Sequence, residues 1–273
     1  MPKVEENLAL WNQSYDWSQA GEEWSAGWGG SESQWFCSLL PRIRAFMPTG
    51  TILEIAPGFG RWTQYLKDCC KQLIIVDLAE ECIKACKTRF SDCPNLTYHV
   101  NDGKSLAMIP NGSVDFVFSF DSLVHAEADV LEAYLSEIAH KLKPDGVGFI
   151  HHSNVGNYHS LLSLMNRIPE TIRVPLIEQN YLLNKCWHAE SMTAELFEIY
   201  CQKAGLQCVS QEMINWCHRR YLIGCISTFT HQRSIWARPN RIFKNKDFVF
   251  DMMRSRLLSP YYSSHSFIKN PIK

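Results

Sequence analysis

Three groups of residues in this 273-residue chain have types and spacings that could do chemistry. The stretch Glu54-Ile55-Ala56-Pro57-Gly58-Phe59-Gly60 continues a short apolar run, Ile52, Leu53 and Ile55, and then forces a tight turn. A glycine turn between a buried strand and a helix lets a ligand touch the backbone, and the helix start offers it unpaired N–H groups. That describes a nucleotide-type pocket. Asp77 ends a second apolar run, Leu73-Ile74-Ile75-Val76, and lies 17 residues after Gly60. A carboxylate at such a strand tip can accept hydrogen bonds from both hydroxyls of a ribose. His125 follows the tip of a further apolar run, and His151 and His152 end another. Imidazole takes a proton near neutral pH without a metal, which suits a general base. Successive strand residues point oppositely, so only one of His151 and His152 should face the pocket.

The glycine spacing separates two kinds of nucleotide fold. Counting from Gly58, a dinucleotide G-x-G-x-x-G would place its third glycine at Thr63, which disfavours NAD, FAD and a nucleotide-dependent oxidoreductase. The order of residues from Glu54 to Gly60 resembles motif I of the class I S-adenosylmethionine (SAM) methyltransferases, an acid followed by x-G-x-G-x-G, with Ala56 replacing the first glycine. The resemblance implies SAM as cofactor. It places Glu54, Ala56, Gly58 and Gly60 around the methionine end and Asp77 with the following Leu78 at the ribose. Asp102 and Gly103 would lie near the adenine, although Asp-Gly by itself is only a turn signal. Ser119, on the fourth strand, joins the cofactor side. Trp28, in the glycine-rich bend from Ser25 to Ser31, either closes as a lid over the cofactor or belongs to a loop joining two helices.

Catalytic groups in this family commonly follow strand four, where His125 stands, with His152 as a second candidate base. Asp121 either orients a histidine or, with Glu127 and Asp129, binds a divalent ion as in some sugar methyltransferases; no tight oxygen cluster supports the metal. The stretches 28–35, 119–127 and 151–154 resemble a bacterial methyltransferase group associated with glycan or natural-product tailoring. The expected activity is therefore O-methylation of a hydroxyl on a sugar or small secondary metabolite. A carboxylate or amine on a small molecule or modified peptide is the alternative acceptor, and a SAM-binding protein without catalysis is a further one.

These residues need a scaffold, and the periodicity supplies one. Apolar runs at 52–55, 73–77, 96–100, 114–120 and 147–151 alternate with helical patterns such as Leu131, Tyr134, Leu135, Ile138 and Leu142. Two strands, 206–216 and 221–230, are joined too tightly to run parallel. The expected fold is a doubly wound, mostly parallel seven-stranded Rossmann-like α/β sheet with an antiparallel last strand. Residues 1–48, with tryptophans at 11, 17, 24, 28 and 35, form a helical cap; 49–232 form the methyltransferase domain; 233–273 form a polar tail. Residues 154–190 break the pattern and read as an insertion walling the acceptor pocket, with Trp187-His188-Ala189-Glu190 closing it.

Composition narrows the partners. A net charge of −1 gives no electrostatic reason to expect nucleic acid, and no Asn/Asp-Pro-Pro-Tyr/Phe sequence follows strand four. No 18-residue apolar run occurs and the N-terminus has no apolar leader, so a cytoplasmic protein without a membrane partner is expected. Eleven cysteines without a C-x-x-C pair read as small buried hydrophobes in a reducing compartment; Cys82 and Cys86 lack the second pair a metal site would need. Oligomeric state is left open.

Overall fold

The computed structural model describes residues 4–216 and 220–250. Eight strands form one sheet: β1 (Thr49–Ile55), β2 (Cys70–Asp77), β3 (Leu96–Val100), β4 (Val114–Ser119), β5 (Leu142–Ser153), β6 (Leu206–Ile214), β7 (Gly224–His231) and β8 (Arg241–Asn245). Their order is β3-β2-β1-β4-β5-β7-β6-β8. Strands β1 to β5 pair in parallel, and β7 runs antiparallel to both β5 and β6. The expected antiparallel strand is thus β7. The count exceeds the expected seven because Arg241–Asn245, within the segment read as a polar tail, pairs in parallel with β6 at the sheet edge. Its residues are mostly exposed, so no apolar alternation marked it as a strand. Of the short β6–β7 connection, residues 217–219 lie outside the described residues, as do 1–3 and 251–273.

The chain moves outward from β1 through β2 to β3 and then returns to β1's other side for β4. The strand order therefore reverses between β1 and β4, and a crevice opens at their carboxyl ends, where open α/β sheets bind ligands. Strand alternation divides the core. Leu53, Ile55, Val76 and Val117 face the helices Ala128–Lys141 and Ala194–Lys203. Ile52, Leu73, Ile75 and Phe118 face the helix Glu80–Arg89 and the helical run 31–46, whose Trp35, Leu39 and Ile43 are buried. Each such side chain contributes about 1.5–3 kcal/mol when fully buried. In that run the backbone widens into a π-helical turn over Trp35–Leu39 just before Pro41, which lacks the N–H an α-helix would use.

Two local expectations are corrected. The helix after the glycine bend is only one turn, Thr63–Leu66, because β2 begins at Cys70. Nine described cysteines are free, as read from the sequence, but Cys186 is disulfide-bonded.

Candidate active site

The bend after β1 is built from left-handed backbone. Ala56, Gly58 and Gly60 have φ of 58°, 58° and 83°. A side chain at Gly60 would meet the Phe90 ring at 2.5 Å, and one at Gly58 would meet Trp17 at 2.9 Å. Ala56 takes the same conformation at a cost of roughly 1–2 kcal/mol, held by its N–H donating to the Val76 carbonyl at 2.7 Å. Its own carbonyl accepts from the Ser122 hydroxyl at 2.7 Å, which ties the tips of β1 and β4 together across the switch point.

A cavity of about 880 Å³, open mouth included, lies against this bend. Ala56, Gly58, Asp77, Leu78 and Gly103 line it on the β1–β3 side, and Asp121, Ser122 and His125 line it beyond β4. Asp77 is 5% exposed; its carboxylate accepts from Ala79 N–H at 2.8 Å and Gly58 N–H at 3.3 Å. Burial pushes its pKa up to about 6.

Several expected site residues stand elsewhere. Asp102 is exposed and off the cavity wall; its carboxylate accepts from the Lys104 and Ser105 N–H groups of its own turn, at 2.9 and 2.7 Å, which hold its pKa down. Glu54 is buried beneath the bend, where Thr63 Oγ1 donates to it at 2.6 Å and burial raises its pKa to about 8. It supports the bend from below. Gly60 faces Phe90, and Ser119 is buried off the cavity wall with its hydroxyl unpaired. Trp28 is buried against Trp216 and Phe248, ring centroids 5.0 and 5.9 Å away, in the core on the 31–46 face. The tryptophans on the cavity wall are Trp11, Trp17 and Trp24 of the N-terminal segment and Trp62 after the bend.

The histidines separate by face, as alternation requires. His152 is fully buried with its ring stacked on Phe197 at 4.2 Å, its Nε2 paired with Ser227 Oγ and its Nδ1 with Ser153 O, both at 2.8 Å. Both ring nitrogens are thus paired within the protein, and His152 stands off the cavity wall. His151 takes the other face, between Phe120 and Trp216. His125 is half-buried on the cavity wall beside Trp11, and its Nδ1 lies 3.0 Å from the Trp187 carbonyl. A carbonyl only accepts, so Nδ1 carries the proton and Nε2 keeps its lone pair. Burial holds the His125 pKa below its ordinary value, against smaller opposing effects of this hydrogen bond and Asp121.

Asp121 does not hydrogen-bond a histidine. Its carboxylate pairs with the Arg61 guanidinium at 2.7 Å, with both side chains buried, and burial still raises its pKa. Arg61 also donates to Ser25 Oγ at 3.1 Å and lies over the rings of Trp62 and Trp24. The alternative metal set is dispersed: Glu127 binds Ser191, and Asp129 pairs with Lys104 at 2.6 Å.

Arg61 and the wall tryptophans Trp11, Trp17 and Trp24 were not singled out as site residues. For Arg61 the signal was present, an arginine directly after Gly60 amid apolar neighbours, which a burial argument would have required to find a partner.

The arrangement fits SAM. The buried Asp77 carboxylate can accept from ribose hydroxyls, apolar groups flank Gly103, and the aromatic rings and Asp121 on the wall suit a sulfonium cation. Residues 52–146 match the family described as Methyltransferase domain. The curated relative Phosphoethanolamine N-methyltransferase 1 of Triticum aestivum is 31% identical over 118 residues, 41% of this chain and 24% of that protein. The matching segment thus spans about a quarter of the relative's length. Two solved structures share the fold. A SAM-dependent methyltransferase from Leishmania major superposes with a TM-score of 0.55 at 12% identity, covering 83% of this chain and 82% of that one. The DhpI–SAM–HEP complex does so with a TM-score of 0.54 at 17% identity, covering 83% and 96%. Motif, sheet topology and family match agree: the chain carries a class I SAM-dependent methyltransferase domain, and SAM is its cofactor.

Proposed function

We propose that the protein methylates a hydroxyl of a small molecule, a sugar or secondary metabolite, with His125 as general base. The observation that carries this reading is the His125 tautomer. With Nδ1–H committed to the Trp187 carbonyl, Nε2 has no protein partner among the described residues and is free to take the hydroxyl proton. Burial, by lowering the pKa, keeps this nitrogen unprotonated at neutral pH. When bound, SAM supplies the methyl group as an activated sulfonium and leaves as S-adenosylhomocysteine (SAH). The protein's part is to hold the acceptor in line and dry, which the Trp11, Trp17 and Trp24 wall supports. Asn7 Nδ2 donates to the His125 carbonyl at 3.1 Å and anchors the N-terminal segment to this rim.

The test is a mass-spectrometric screen of sugars, phenols, amines and carboxylic acids with methyl-labelled SAM. Label on a hydroxyl oxygen is expected. Transfer confined to carboxylates, which need no base, would overturn the reading. An amine acceptor is the second reading, favoured by the similarity to a phosphoethanolamine N-methyltransferase.

Cofactor binding should depend on pH through Asp77. A buried acid whose pKa is raised to about 6 stabilises the free fold at low pH, and that stability is lost as pH rises through 6. A ribose reverses the sign, because only the carboxylate can accept from both hydroxyls. SAH affinity is therefore expected to fall up to about tenfold per pH unit below about 6. Asp77→Asn should flatten that profile and weaken binding at neutral pH by roughly 10- to 100-fold, the worth of about 1.5–3 kcal/mol for bonds to a charged acceptor. Calorimetry showing pH-independent SAH affinity in the unaltered protein would exclude Asp77 as the ribose acceptor.

A further inference from the structure

Beside His125 stand two buried imidazoles that the reaction above does not use. The His188 ring lies 6.4 Å from that of His125, and the His151 ring lies 6.0 Å from that of His188. Both side chains are almost fully buried, at 2% and 0% exposure. Among the described residues neither nitrogen of His151 has a hydrogen-bond partner, and nor does Nε2 of His188. A buried polar atom left unpaired is costly, and these three lie in one neighbourhood. They are placed there by dedicated features. Gly224 leaves space for the His151 ring, whose Nε2 would lie 2.6 Å from any Cβ at that position.

His188 is presented by a strained loop. Cys186 and Trp187 are consecutive non-glycine residues with φ of 47° and 62°. Their carbonyls are the ones that hold the two rings: Cys186 O faces His188 Nδ1 at 3.1 Å, and Trp187 O faces His125 Nδ1 at 3.0 Å. One loop thereby gives both imidazoles the same tautomer, with Nδ1–H tied down and Nε2 left as an acceptor. The Ala189 N–H donates to the Val124 carbonyl at 2.8 Å and locks this loop to the segment bearing His125. Strain concentrated at a candidate site, with its carbonyls so employed, points to use.

We propose that His188 and His151, packed behind the cavity wall that His125 lines, extend the acceptor subsite inward and bind a neutral polyhydroxy molecule. Its neighbouring hydroxyls donate to these rings while another hydroxyl is presented to His125. The inference rests on the methyltransferase reading above and adds the substrate class. Neutral imidazole lone pairs attract O–H hydrogens and repel a carboxylate or phosphate.

The experiment titrates the full chain with SAH first and then, at saturating SAH, with a panel of methyl glycosides, ethanolamine and phosphoethanolamine, by calorimetry. Binding is expected for at least one glycoside in preference to both amines, with a changed ¹⁵N shift at His188 Nε2. His188→Ala should weaken that glycoside about tenfold or more, the worth of one buried hydrogen bond. His188→Asn, which keeps an acceptor atom, should restore most of it, and SAH affinity should be unchanged in both. Tighter binding of phosphoethanolamine, no binding of any glycoside, or an unaffected glycoside in His188→Ala would overturn the subsite. Absence of SAH binding in the unaltered protein would overturn the methyltransferase reading and the subsite with it.

Discussion

His125→Ala is expected to lower kcat for a hydroxyl acceptor by roughly 10²- to 10⁴-fold, the usual contribution of a positioned general base. SAH affinity and thermal stability should stay close to those of the unaltered protein. The imidazole is half-buried and its ring hydrogen bond goes to a loop carbonyl, so its loss removes little packing. The segment stays anchored by backbone bonds from His125 N–H to Ser122 O and from Ala189 N–H to Val124 O. In the unaltered protein kcat should rise with pH as the imidazole loses its proton. Because burial lowers that pKa, the plateau should be reached below the ordinary histidine range. A kcat within threefold of the unaltered enzyme, on an acceptor proven to be a hydroxyl, would remove His125 from the chemistry.

The second large effect is on stability. Arg61→Met should destabilise the protein by about 3–5 kcal/mol at neutral pH, since it strips the partner from a buried carboxylate. Asp121 is 8% exposed in its side chain, and its ion pair with Arg61 is 2.7 Å long. Arg61 Nη1 also supports Ser25 Oγ, which donates to Gln34 Oε1 at 2.8 Å, so the substitution also loosens the lid against the sheet. Adding Asp121→Asn should recover much of the loss, because the uncompensated charge is its main source. The deficit of the single variant should shrink on acidification. Burial raises the Asp121 pKa and Arg61 opposes this, so without the arginine the carboxyl protonates at higher pH, and its destabilising charge disappears as pH falls. Urea unfolding at neutral and acidic pH measures both effects. A loss under 1 kcal/mol would show that the pair is solvated.

Much of the scaffold was legible because its signals are local. β3 falls where its apolar run indicated, and β1, β2, β4 and β5 overlap their predicted runs. The turn chemistry at 56–60 and the carboxylate at the end of β2 follow from strand alternation and glycine placement, which do not depend on distant residues. The alternation rule likewise separated His151 from His152, yet it could not say which one took which face. That depended on Phe197, whose helix stacks on His152 from the opposite side.

Where a short polar side chain could satisfy its own backbone, the sequence alone was an unsafe guide. Asp102 turned to the Lys104 and Ser105 amides of its own loop. A carboxylate that finds two local N–H donors gains nothing by reaching for a distant ligand. The five N-terminal tryptophans were visible as a cluster, but Trp28 was buried in the core while Trp11, Trp17 and Trp24 reached the cavity. Which rings face a ligand is a property of how the segment lies across the sheet, and composition carries no such information.

By itself, then, the sequence determined the mostly parallel sheet and the glycine bend with Asp77, because each rests on periodicity or on backbone limits within a few residues. Tertiary structure alone decided the Arg61–Asp121 pair, the burial of His152 against Phe197 and the meeting of His125, His188 and His151. Those contacts join residues as many as 63 positions apart; the pairing of β1 with β4 brings Arg61 to Asp121, and the packing of the 154–190 segment on the strand tips brings the histidines together.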